Sequence, residues 1–171
     1  NVVPRGDIAI VGASGTGIQE VSCLIAHAGE GISHAIGVGG RDLTEAVGAI
    51  STLTVLDWLE RDVATHHIVL ISKPPAPSVV DQITEFIRRS SKRYTVCLVG
   101  SDDLALPDNA KLTTTLKDAA AAAVKNNKGL EALPAVQQAP AAGSYVRGLY
   151  SGGTLAAEAQ VVFLSHRQPV L

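Results

Sequence analysis

The chain has 171 residues, 46% of them hydrophobic and 18% charged, a composition that fits a soluble globular protein long enough to bury a sizeable core. Its formal net charge of −2 provides no basic field to attract nucleic acid, and no segment reaches the length of a membrane-spanning helix. Aromatic residues are only 4% of the chain, so the core is expected to be built from Val, Ile, Leu and Ala.

The first apolar run, 7–11, reads as a buried parallel strand and stops at Gly12. A turn of small residues follows, Gly12-Ala13-Ser14-Gly15-Thr16-Gly17, and opens a helix over 18–28. That helix places Val21, Leu24, Ile25 and Ala28 on one face and stops at Gly29. A second strand is expected over 32–38, ended by Gly39-Gly40. Thr44 then reads as the cap of a helix running to about Arg61, with Val47, Ile50, Leu53, Leu56 and Leu59 towards the sheet. A third strand over 67–72 is stopped by Pro74-Pro75, and Pro77-Ser78 starts the next helix. The basic cluster Arg88, Arg89, Lys92 and Arg93 reads as a solvated helix end that suits the helix dipole.

A fourth strand over 94–99, a short fifth at 111–115 and an alanine-rich helix over 117–125, closed by Gly129, complete the alternation. This order predicts an α/β fold, a parallel sheet with helices on both faces. Over 130–143 Ala, Pro and Gln dominate and periodicity is lost, the mark of a linker. A strand over 145–150 and a helix over 154–164 then read as the start of a second domain. The expected division is a domain over 1–129, a linker over 130–144 and a truncated second domain over 145–171. An opening Asn1 close to a core strand reads as a piece of a longer protein.

The turn after the first strand carries the sharpest chemistry. The first amides of a helix have no partner within it, and its dipole places partial positive charge there. With the hydroxyls of Ser14 and Thr16 added, Ser14, Gly15, Thr16 and Gly17 form an expected phosphate site. No Lys follows the glycines, so this is not a Walker-type loop, and the spacing does not match the dinucleotide fingerprint. The alternative is a capped strand-to-helix turn with no ligand.

The pattern recurs. Gly15-Thr16 with Glu20 returns as Gly153-Thr154 with Glu158, each after a serine, Ser14 or Ser151. Two such helix starts point at a shared anion and add Ser151, Gly152, Gly153 and Thr154 to the phosphate site. Two further loops end strands. Gly39, Gly40 and Arg41 suit a carboxylate or phosphate, and Lys73 could neutralise an anion. For both loops the alternative is exposed surface charge. His34, His66 and His67 read as structural, and Cys23 and Cys97 as reduced core residues. No spacing suggests zinc or a catalytic triad, so the catalytic group is not identified. No secretion signal is seen, and the expected compartment is the cytoplasm.

The segments 12–20, 31–42, 72–76 and 148–159 resemble, in order, the motifs of the FdrA family. That family stands in the NDP-forming acyl-CoA synthetase superfamily, beside the succinyl-CoA synthetase α subunit. The resemblance implies a flavodoxin-like CoA-ligase domain whose two helix starts face each other across a phosphoryl group. It also implies that the CoA-binding domain of such proteins lies outside this chain, with CoA or ATP/ADP bound, if at all, by the full-length protein. The chain departs from the synthetases in lacking a Gly-His-Ala-Gly loop and a carboxylate at Ser72-Lys73-Pro74. FdrA-like members are tied to oxamate carbamoyltransferase, which implies carbamoyl phosphate and a small anionic substrate as ligands. The rival expectations are a succinate-CoA ligase-like subunit and a non-catalytic phosphate-binding or assembly subunit. In each case the resemblance implies a homo-oligomer or an assembly with other subunits.

Overall fold

The computed structural model describes residues 2–100, 104–126, 130 and 147–166. Five strands form one parallel sheet: β1 (Arg5–Gly12), β2 (Ile32–Gly37), β3 (His67–Ser72), β4 (Arg93–Leu98) and β5 (Ala110–Thr113). Their order is β2-β1-β3-β4-β5, and every neighbouring pair is parallel. The helices are α1 (Gly15–His27), α2 (Ile50–Arg61), α3 (Pro77–Arg89), α4 (Leu116–Ala123) and α5 (Gly153–Ser165). This is the flavodoxin-like arrangement, as expected. No helix among the described residues is long and apolar enough to cross a membrane.

The inner strands β1, β3 and β4 are largely buried on both faces, and their side chains divide between two cores. Ile8 and Ile10 of β1, with Val69 and Ile71 of β3, meet Val21 and Ile25 of α1 and Leu116, Ala119 and Ala120 of α4. The alternate residues Ala9, Val11, Ile68 and Leu70 meet Leu56 and Leu59 of α2 and Val79, Ile83 and Ile87 of α3. Tyr94 is the exception to an aliphatic core and is buried in the second cluster. Neither Cys23 nor Cys97 forms a disulfide among the described residues, and of the two only Cys97 is fully buried. Arg88 and Arg89 end α3 and both pair with Glu85.

Two elements depart from expectation. Helix α2 begins at Ile50, not near Thr44. The backbone takes left-handed values at Gly48 (φ 68°) and Ala49 (φ 60°), which no helix can run through. Thr44 instead donates to the Arg41 carbonyl in a turn, at 2.8 Å. The cap is Asp42, whose carboxylate accepts from the Ser51 and Thr52 amides at 2.9 and 2.8 Å and from the Thr52 hydroxyl at 2.6 Å. Burial opposes ionisation of Asp42, but these hydrogen bonds outweigh it and hold the carboxyl below its usual range. Because the helix starts late, Ile50 faces solvent and Val47 lies in the preceding turn.

The second departure concerns the strand expected over 145–150: residues 147–150 are exposed and form no strand. Positions 145–146 of that segment lie outside the described residues, as do 131–144 of the expected linker and the expected stop at Gly129. Leu130 is buried against the first core.

Candidate functional site

In an open sheet of this order, connections leave β1 and β3 towards opposite sides, so a crevice opens outside their carboxyl ends. β1 ends at Gly12 and β3 at Ser72, side by side. The Ala13 amide donates to the Ile71 carbonyl at 3.0 Å, which anchors the turn before the helix. Ser14 is the N-cap of α1, extended at φ −134°, and its Oγ accepts from the Gly17 amide at 3.0 Å. That bond satisfies the third amide of the helix. The first two, Gly15 and Thr16, have no place in the helical ladder.

Helix α5 brings the second start to the same point. The Thr154 hydroxyl donates to Ser14 Oγ at 2.6 Å. Gly152 lies directly on Thr16; a Cβ there would stand 2.4 Å from Thr16 Oγ1, so only glycine fits without displacing one chain. No side chain caps α5, so its first amides stay open. Between the helix starts lies a cleft of about 420 Å³. Ala13, Ser14, Gly15 and Thr16 form one wall, Gly153 and Thr154 another, and Gly40, Ser72 and Lys73 complete it. No acidic residue is among the described lining residues, so two helix dipoles and one lysine set its polarity.

Seven of the expected binding residues therefore meet: Ser14, Gly15, Thr16, Gly40, Lys73, Gly153 and Thr154. Five do not line the cleft. Gly17 gives its amide to the cap, and Gly152 packs on Thr16. Ser151 and Gly39 are exposed beside it. Arg41 is exposed as well, because its neighbour Asp42 turns inward to cap α2. Ser72 is a wall residue that sequence reasoning noted only as part of its loop.

Glu158 accepts from the Leu116 amide at 2.7 Å, capping α4 from α5. The histidines lie at the opposite end of the sheet. His67 is buried with Nε2 2.9 Å from Thr95 Oγ1, and burial lowers its pKa to about 4. His34 stands 3.5 Å from Asp62 and meets the Trp58 ring edge-on at 4.7 Å. These contacts are structural, as expected.

The match to known families rests on residues 4–99, more than half of the chain, which fit the family described as CoA binding domain. This corrects the expectation that a CoA-binding domain lies outside the chain. YahF, an uncharacterized protein of Escherichia coli strain K12, is 40% identical over an alignment of 171 positions. The alignment takes in 92% of this chain but only 33% of that protein, so the chain spans a third of its relative. Among solved structures, the dinucleotide-forming acetyl-coenzyme A synthetase 1 of Ca. Korarchaeum cryptofilum, in complex with phosphate and ADP, is similar with a TM-score of 0.52. At 17% identity, over 70% of this chain and 30% of that one, the likeness is one of fold. On the family match, this chain belongs to the CoA-binding domain family.

Proposed function

We propose that the chain is part of a subunit of acyl-CoA synthetase type, and that its cleft holds the phosphoryl group of inorganic phosphate or of a small acyl or carbamoyl phosphate. One observation carries this reading: the 2.6 Å bond from Thr154 to Ser14 joins two helix starts with open amides over one cleft that also contains Lys73. Two helix N-termini, each worth roughly half a positive charge, together with one lysine complement a phosphate dianion. When an acyl or carbamoyl phosphate transfers its carbonyl group, the C–O bond breaks and charge gathers on the departing phosphate. Fixed amides and Lys73 would stabilise that charge.

The FdrA resemblance supports carbamoyl transfer to a small carboxylate such as oxamate. The CoA-binding family match favours a second reading, acyl transfer to CoA with ATP or ADP as the phosphoryl partner. Carbamoyl phosphate formed from oxalurate and phosphate by the full-length protein selects the first; CoA-dependent phosphate release from ATP selects the second. In both readings the protein works in the cytoplasm, in a homo-oligomer or with other subunits.

Calorimetry with inorganic phosphate tests the shared part. Thr16→Val removes one hydroxyl at nearly constant shape and is expected to weaken binding about tenfold. Gly15→Ala adds a methyl group where no atom lies within 4 Å, and so intrudes on the cleft without straining the helix. Wild-type affinity in both variants would overturn the reading.

A further inference from the structure

Helix α5 is held in place by few contacts. None of its residues is fully buried, and Leu155, Ala157 and Val161 only partly cover the first core. Apolar burial alone therefore holds it weakly. Its polar contacts then decide where its first turn sits. Thr154 binds Ser14, and one helical turn later, on the same face, Glu158 binds the Leu116 amide. Leu116 is the first residue of α4, and the local cap of that helix, Thr115, is already engaged with the Asp118 amide at 3.1 Å. The Leu116 amide, one of the four with no partner inside α4, thus finds its acceptor on α5.

We propose that Glu158 is a positioning residue: by capping α4 from α5 it fixes the start of α5 against α1 and so holds the cleft in shape. Its importance for phosphate rests on the function proposed above; its effect on α5 does not. The groups that face it are Glu20 from α1, Asp118 from α4 and the Cys97 thiol from β4, which burial keeps neutral with its pKa pushed up to about 12. Burial raises the Glu158 pKa, and the negative charges of Glu20 and Asp118 raise it further against the Leu116 hydrogen bond. A docked carboxyl that holds its proton more tightly than an undocked one favours docking as pH falls. Docking weakens as pH rises through the raised pKa.

The test measures amide hydrogen exchange in α5 as protection factors, with phosphate calorimetry on the same samples. Glu158→Ala is expected to lose about tenfold in α5 protection, the scale of a lost helix cap, and to weaken phosphate binding with it. Exchange in α1 and β3 stays as in the wild type. Glu158→Gln keeps the acceptor and loses the charge. It is expected to retain protection and to abolish its pH dependence in the carboxyl range, where wild-type protection falls with rising pH. Unchanged protection in Glu158→Ala, or a wild-type α5 with none, would overturn the proposal. If the wild type fails to bind phosphate, the cleft reading fails, and the exchange result still judges Glu158.

Discussion

Helices α1 and α5 open on the same words, Gly-Thr with a glutamate four residues on, yet they belong to the molecule in different ways. α1 follows a central strand directly, has a serine cap and buries Val21 and Ile25 completely. α5 has no side-chain cap, buries no residue fully and leaves Val162 and Leu164 exposed. A shared motif thus specifies how a helix begins, while the surrounding apolar residues decide how firmly it is held. One wall of the cleft is part of the folding core; the other is held mainly by directed polar contacts.

The contrast is broken most directly by removing side-chain volume. Ile25→Ala is expected to cost about 3 kcal/mol in urea denaturation, because the site lies at 0% exposure between sheet and helix. Leu155→Ala in α5 is expected to cost less than about 1 kcal/mol, since the residue is only partly buried. Equal costs would mean that α5 is as integral to the fold as α1.

Acid separates the two regions by sign. His67 belongs to the sheet, and burial lowers its pKa from 6.5 to about 4. Between those values the unfolded chain takes up a proton that the folded sheet refuses. Stability therefore falls as pH drops from 6.5 to about 4, by about 3 kcal/mol in all. α5 docking moves the other way through Glu158. Urea titrations from pH 7 to pH 4.5 should show the loss, and His67→Gln should flatten it; a slope unchanged in the variant would assign the loss elsewhere.

The smallest effect concerns the hydroxyl contact itself. Ser14→Ala removes the α1 cap and the acceptor for Thr154, and is expected to cost about 1 kcal/mol. Thr154→Val breaks only the contact between the helices and is expected to cost about 0.5 kcal/mol. Similar losses in thermal unfolding would show that the cap contributes little beyond the contact.

The parallel sheet was legible because its strands are short apolar runs punctuated by Gly and Pro, and all five lie within a few residues of their expected positions. The segment before α2 was misread for a physical reason. Leu43, Val47 and Ile50 fall at helical spacing, but the left-handed backbone at Gly48 and Ala49 blocks the helix, and the cap comes from Asp42, nine and ten residues before the amides it binds. Local patterns do not register a cap that reaches across a loop. The same limit hid the contact made by Glu158, whose partner Leu116 is 42 positions away. The repeat at Thr16 and Thr154 was legible as a pattern; the exposure of Arg41 was not, because it depends on which way its neighbour turns.

The bond between Ser14 and Thr154 joins positions 140 apart in the chain. Closing so long a loop carries a length-dependent entropy cost of about 4 kcal/mol, whereas strands and helices up to β4 associate through much nearer neighbours. During synthesis the sheet can therefore mature while the second wall is still inside the ribosome. The two walls of the cleft therefore form in succession, the one on α1 with the sheet and the one on α5 after it.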